Sequence, residues 1–146
     1  KRGYHMHFAP KGEAKLSRPI VDIEKGYVIT PMLKGIRLTT GIEFAERDAP
    51  PTPVQLERLK PVARALFPLG AEVDPEPWLG KRPTLPDGLP IIGPAPGVPD
   101  MWLDFGHAHL GFTHGPISGR LIAEAISGEK PSVDLTPFRA ERFGRR

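Results

Sequence analysis

Pro19-Ile20-Val21-Asp22-Ile23, then Glu24-Lys25-Gly26, then Tyr27-Val28-Ile29-Thr30: two apolar runs parted by three turn-forming residues set the architecture of this protein. Short runs of β-branched and aromatic residues bounded by a glycine turn read as strands. A three-residue connection permits only antiparallel pairing, because a parallel crossover needs a dozen residues or more. The pattern continues on both sides. Ahead of it, Tyr4-His5-Met6-His7-Phe8 alternates and the Pro10–Gly12 region supplies a turn. Behind it, Leu33-Lys34-Gly35-Ile36 leads into Arg37-Leu38-Thr39-Thr40-Gly41-Ile42-Glu43-Phe44. The first third is therefore predicted to be an antiparallel meander.

Thr52-Pro53-Val54-Gln55 then opens a helix: Thr52 can cap, Pro53 suits the first helical position, and Gln55 completes a capping box. Leu59, Val62, Ala63 and Leu66 keep helical spacing as far as Phe67-Pro68, although Pro61 inside the run predicts a kink or two short helices. A Pro-rich linker follows. Pro77–Arg82 and Leu89–Gly93 are short apolar stretches around the Pro86-Asp87-Gly88 turn, and Met101–Phe105 is a further strand ending at Gly106. A glycine-spaced loop from His107 to Gly115 runs into a second helix with Pro116 near its start. That helix carries the apolar face Ile117, Leu121, Ile122, Ala125, Ile126, and Gly128 and Pro131 stop it.

Composition excludes several classes of function. The 146 residues are enough for one domain or two small units, with 39% hydrophobic residues for a core. No apolar run approaches the roughly 18 residues of a membrane span. There is no cysteine, hence no disulfide or thiolate–metal site, which fits a reducing compartment. The net charge of +3 is concentrated in Lys1, Arg2, Arg139, Arg142, Arg145 and Arg146. No basic stripe interleaved with aromatics marks a nucleic-acid face, so nucleic acid is not expected as a partner. Gly-x-Ser-x-Gly, Walker and G-x-G-x-x-G motifs are all absent from the sequence.

Two segments are stranger than packing requires. In Gly80–Gly93, strand alternation would put Trp78, Gly80 and Arg82 on one face. A glycine beside an arginine leaves an open floor under a guanidinium, whose planar fork suits a ligand carboxylate. The other reading is a surface arginine in a tight turn. In Phe105–Pro116, a strand, a Gly-rich loop and a helix start together present free N–H groups and a positive dipole end. Such a site binds an anion, or a carbonyl that becomes anionic during reaction. The histidines invite a metal reading, with His5 and His7 sharing a strand face and His107, His109 and His114 grouped. No carboxylate at ligand spacing completes either set, so no metal is expected.

Taken together, Gly80-x-Arg82-Pro83-x-x-Pro86-Asp87-Gly88-x-Pro90-x-Ile92-Gly93 and Gly106-His107-x-His109-Leu110-Gly111 resemble one family. They resemble the C-terminal portion of the FAD-dependent D-amino acid oxidase superfamily, closest to the small subunit of D-amino acid dehydrogenases. Arg2-Gly3-Tyr4-His5-Met6 and Thr39-x-Gly41-x-Glu43 also fit that pattern. The resemblance implies an α+β fold, an antiparallel substrate-domain sheet with flanking helices plus the final strand and helix of an FAD-binding domain. It implies a division into 1–76 (sheet and helix of the substrate domain), 77–96 (substrate-arginine strand and turn) and 97–146 (C-terminal strand, flavin-edge loop and helix). Arg82 matches the arginine for the substrate carboxylate. Gly106, His107, His109, Leu110, Gly111, Phe112 and Thr113 match the loop beside the flavin pyrimidine ring.

The implied activity is oxidation of a D-amino acid, by hydride loss from Cα to non-covalently bound FAD. The half that would hold the ADP part of FAD is not in the sequence, so these residues alone are expected to be an inactive C-terminal fragment. The missing N-terminal half is then its partner, together with a small amino acid substrate. The expected location is the cytoplasm or the inner face of the membrane, with peripheral association through the electron acceptor. Two rivals stand beside this reading. One is a glycine-, sarcosine- or hydroxyproline-oxidising flavoenzyme of the same superfamily, and the other a non-catalytic antiparallel β-sheet binding module.

Overall fold

A computed structural model describes residues 1–144; Arg145 and Arg146, counted above among the terminal charges, lie outside the described residues. Two compact units make up the fold, the first Lys1–Lys81 and the second starting at Arg82.

The first unit is a six-stranded antiparallel sheet with one helix. Its strands are β1 (Arg2–Pro10), β2 (Ile20–Asp22), β3 (Tyr27–Met32), β4 (Gly35–Thr39), β5 (Leu69–Glu72) and β6 (Trp78–Lys81). The sequential hairpins β2-β3-β4 form the predicted meander, and β1 adds to the far edge of β4 with His5 opposite Thr39 and Phe8 opposite Ile36. The free edge of β1 is shared end to end. β6 pairs with Arg2–His5, and β5 pairs around Phe8 and Pro10 across a register shift. β5 occupies the stretch read from sequence as a Pro-rich linker. With Leu69 its single large apolar residue, that stretch offers no alternation to read, and its strand character comes from pairing with β1.

Alternation puts Tyr4, Met6 and Phe8 of β1 on the same face as Tyr27 and Ile29 of β3 and Ile36 and Leu38 of β4. Helix α1 (Val54–Leu66) covers that face with Leu56 and Ala63, and Leu69 completes the core. Each large side chain buried this way contributes about 1.5–3 kcal/mol. The helix start differs from the predicted capping box. Pro53 sits at the cap position and no side chain caps the helix. Thr52 Oγ1 instead donates to Glu43, and Gln55 Nε2 donates to the Ile42 carbonyl at 3.0 Å. Nor do two short helices meet at Pro61; one continuous helix passes through it. Pro61 is exposed, so its ring displaces no core residue, and the helix loses the hydrogen bond its nitrogen cannot make.

Arg2, counted above among the terminal charges, is 2% exposed. Its Nε donates to Glu43 Oε2 at 2.7 Å, and its Nη atoms reach the carbonyls of Ala49 and Pro50. Tyr4 Oη lies 3.2 Å from the same carboxylate and accepts the Thr52 N–H at 2.7 Å. The segment from Thr40 to Thr52 is thereby tied down along β1.

The second unit is a two-stranded antiparallel sheet, β7 (Ile91–Pro94) with β8 (Trp102–Phe105), followed by helix α2 (Gly111–Ile126) and two 3-10 turns, Thr136–Phe138 and Ala140–Phe143. Buried Ile91, Ile92 and Leu121 are the apolar residues at its centre. The units together have the predicted α+β class with antiparallel sheets. Among the described residues no helix is long and apolar enough to cross a membrane.

Candidate functional site

The two unusual segments of the sequence meet inside the second unit. Thr84 and His107 form an antiparallel bridge, and the Ala108 N–H donates to the Pro83 carbonyl at 3.0 Å. Gly106 is buried with φ +88°, and a Cβ there would fall 2.7 Å from Leu85 Cδ1. Only glycine tolerates both the left-handed backbone and the leucine pressed against it. Ala108 also takes a positive φ, 52°, unusual for a residue with a Cβ. The segment Arg82–Leu85 and the turn Gly106–Ala108 are thus one hydrogen-bonded piece.

That turn feeds directly into α2, which begins at Gly111 rather than near Pro116. Glycines at 111 and 115 hid the first turn from a reading based on apolar spacing. The Leu110 N–H returns to the His107 carbonyl at 2.9 Å, and the His114 N–H bonds the Leu110 carbonyl at 2.8 Å. Gly111, Phe112 and Thr113 are therefore the first helical turn, not loop. Their N–H groups have no acceptor among the described residues, and no side chain caps the helix. Phe112 is fully exposed, and His109, Leu110 and Thr113 are exposed as well. Three free donors at the positive end of a sixteen-residue helix suit a partly negative carbonyl edge. A flavin pyrimidine ring presents such an edge, so the donor set fits that part of FAD.

His107 points elsewhere. Its Nε2 is buried 3.3 Å from Asp104 Oδ1, out of hydrogen-bond alignment, and its ring meets His114 edge-on at 6.3 Å. Asp104 Oδ2 is 3.0 Å from the hydroxyl of buried Ser118, which locks α2 to β8. Asp104 and Ser118 were missed from sequence, although the i, i+3 spacing of Asp104 and His107 was there to be read. Among the described residues no three His, Asp or Glu gather closely enough for a metal ion.

Arg82 lies just past β6, so the strand alternation linking it to Trp78 and Gly80 does not reach it. The open floor at Gly80 is also taken, since a Cβ there would stand 2.4 Å from the Trp78 ring. Gly80 makes room for that indole rather than for a ligand. Arg82 itself is half-buried. Among the described residues its guanidinium has no hydrogen-bond or ion-pair partner, only its carbonyl being approached, by Thr84 Oγ1 at 3.4 Å. Asp87, its nearest carboxylate in sequence, is engaged by Arg142 at 2.6 Å.

The first unit has a polar cluster on the sheet face opposite its core. His5 stacks on Trp78 with centroids 4.5 Å apart and meets His7 edge-on at 5.2 Å. His7 Nδ1 and its backbone N–H both lie 2.8 Å from Asp74 Oδ2, and Lys34 pairs with the other oxygen. The Lys34 ammonium and the His7 groups hold the Asp74 carboxyl far below the usual range. Burial, then the Arg37 charge and His7, pushes His5 down to about 4.

The sequence matches the family model described as DAO, FAD dependent oxidoreductase, over residues 1–125. It is 33% identical to a D-amino-acid oxidase of Bradyrhizobium diazoefficiens over 98% of this chain and 35% of the relative. It is 36% identical to a glycine oxidase of Pseudomonas aeruginosa over 82% of this chain and 34% of the relative. An L-proline dehydrogenase structure from P. horikoshii superposes with a TM-score of 0.79 at 21% identity, covering 97% of this chain and 39% of that one. The chain thus spans about a third of the length of the curated relatives it matches. With the matched region extending from the first strand into the second helix, the chain belongs to the DAO family of FAD-dependent oxidoreductases.

Proposed function

We propose that this chain is the C-terminal part of an enzyme that oxidises a D-amino acid at its Cα–N bond, with Arg82 holding the substrate α-carboxylate. When bound, FAD supplies the acceptor for the hydride leaving Cα, and the imino acid then hydrolyses to keto acid and ammonia. Everything this chain contributes is positioning and electrostatics. The Arg82 guanidinium is free for two parallel bonds to a carboxylate. The N–H groups of Gly111, Phe112 and Thr113 stabilise negative charge on the flavin carbonyl edge, with Gly106, His107, His109 and Leu110 forming the turn that delivers them. The observation that supports this reading is the pairing of Pro83–Thr84 with His107–Ala108, which joins the two segments in one hydrogen-bonded piece of backbone.

Oxidation of glycine or sarcosine is the second reading, favoured by the 36% identity to a glycine oxidase. Steady-state kinetics of the whole protein on a panel of D-amino acids, glycine and sarcosine separates the two. In the same assay Arg82→Ala should lower kcat/KM by roughly thirty-fold to several thousand-fold, the effect of losing a partly desolvated charge pair of about 2–5 kcal/mol. Arg82→Lys should recover part of the loss, since a point charge replaces the charge but not the fork. Flavin content should stay unchanged. Near-native kcat/KM in both variants would return Arg82 to the role of a surface arginine.

A further inference from the structure

We propose that Arg142 is a positioning residue for substrate binding, clamping the turn that carries Arg82 and so setting how firmly the substrate carboxylate is held. The inference rests on the assignment of Arg82 made above. Arg142 stands in the 3-10 turn Ala140–Phe143, more than fifty residues after the turn it grips. Its Nε donates to Asp87 Oδ2 at 2.6 Å, and its Nη2 lies 3.3 Å from Oδ1 and 2.8 Å from the Leu89 carbonyl. Its Nη1 donates to the Arg139 carbonyl at 3.0 Å, which braces the guanidinium from its own side. Both nitrogens facing Asp87 are used, in the two-bond arrangement that only arginine makes. The Arg142 side chain is 15% exposed, so this is not a loose surface pair.

The gripped turn has few hydrogen bonds of its own, although Leu85 packs on Gly106 and Ile91 beyond it pairs with Phe105. The Gly88 N–H bonds the Leu85 carbonyl at 3.0 Å, and the Leu89 N–H bonds Asp87 Oδ1 at 3.1 Å. Toward Arg82, the segment is anchored by the Ala108–Pro83 bond and the Thr84–His107 bridge. Toward β7, Arg142 is the side chain that ties Asp87 and Leu89 down, ahead of the Ile91–Phe105 pairing. Arg82 has no hydrogen-bond or ion-pair partner for its guanidinium among the described residues, so where that group rests depends on how its backbone is anchored. Loosening the far anchor widens the range of positions it samples and weakens carboxylate binding without touching the reacting atoms.

The test uses the whole flavin-loaded protein with D-alanine, D-proline and glycine as substrates. It compares Arg142→Ala, Arg142→Lys, Arg82→Ala and the double variant Arg82→Ala/Arg142→Ala. Arg142→Ala should raise KM roughly three- to thirty-fold, with kcat and flavin content near those of the parent. Arg142→Lys should fall between parent and Arg142→Ala, and exchanging the partners (Arg142→Asp with Asp87→Arg) should restore part of the affinity. In the double variant the loss should equal that of Arg82→Ala alone, because the clamp acts through that residue. An unchanged KM in Arg142→Ala, with Arg82→Ala impaired, overturns this inference and leaves the Arg82 assignment standing. Equal losses of kcat and flavin show a merely structural role and overturn it too, as does additivity in the double variant. A parent-like Arg82→Ala overturns the Arg82 assignment itself, and this inference with it.

Discussion

His5 is neutral at pH 7 because its surroundings oppose its proton. Its ring is stacked on Trp78, and the Arg37 charge and the His7 ring are close by. A histidine proton titration should find His5 near 4, and Trp78→Ala should move it back toward the ordinary value of about 6.5. The folded state binds this proton less readily than the unfolded one. His5 therefore favours folding fully above about pH 6.5, and that contribution is lost as pH falls toward 4. His5→Gln should flatten the pH dependence of the thermal midpoint across that window. Glu43 behaves in the same sense, at lower pH. The Arg2 guanidinium first, then the Thr52 and Tyr4 hydroxyls, hold its carboxyl below the usual range. Its stabilisation is present above the ordinary carboxylate pKa of about 4.3 and disappears as pH falls through the lowered value. The midpoint gap between the parent and Glu43→Gln should accordingly be larger at pH 7 than at pH 3. At this scale the sequence was legible where backbone geometry demands one residue type, as at Gly106. It was silent on Asp74, Asp104, Ser118 and Arg142. Three of these act on groups far away in sequence, Asp74 on His7, Ser118 on Asp104 and Arg142 on Asp87, and no local pattern announces such a pairing.

The role proposed for helix α2 lies at its N-terminal end, while its face packs Ser118 and Leu121 into the second unit. Replacing Phe112 with proline keeps a first-turn residue that helices tolerate while deleting one of the three free N–H groups. In the whole protein this should make the bound flavin harder to reduce, by about 1–3 kcal/mol for one charge-assisted hydrogen bond, read as a more negative reduction potential. An unchanged potential would remove these donors from the flavin edge. The sheet of the first unit predicts differently, through packing. Leu38 is completely buried between strand neighbours and α1, so Leu38→Ala should cost about 2–5 kcal/mol, visible as a lowered unfolding midpoint. Elements with strong periodicity were legible, namely β1 to β4, α1 and the body of α2. β5 and the first turn of α2 were not, because one is made by its partner strand and the other is spelled mostly in glycine and polar residues.

On the scale of the whole molecule, both proposed contacts, to the substrate carboxylate and to the flavin edge, belong to the second unit. None of the 146 residues supplies a G-x-G-x-x-G fingerprint for the ADP half of FAD. Titrating these residues alone with FAD should therefore show no sub-micromolar binding; tight binding would mean that the main determinants lie among them. The first unit has its own consequence, which concerns its assembly in time. Of the strands in this sheet β1 is synthesised first, and it takes three partners, the last of them β6, which ends at Lys81. Until that strand leaves the ribosome, Tyr4, Met6 and Phe8 have no complete sheet to enter, and β1 keeps a pairing edge open. Contacts so distant in sequence fold slowly, and the waiting strand is the place where aggregation or chaperone capture would begin.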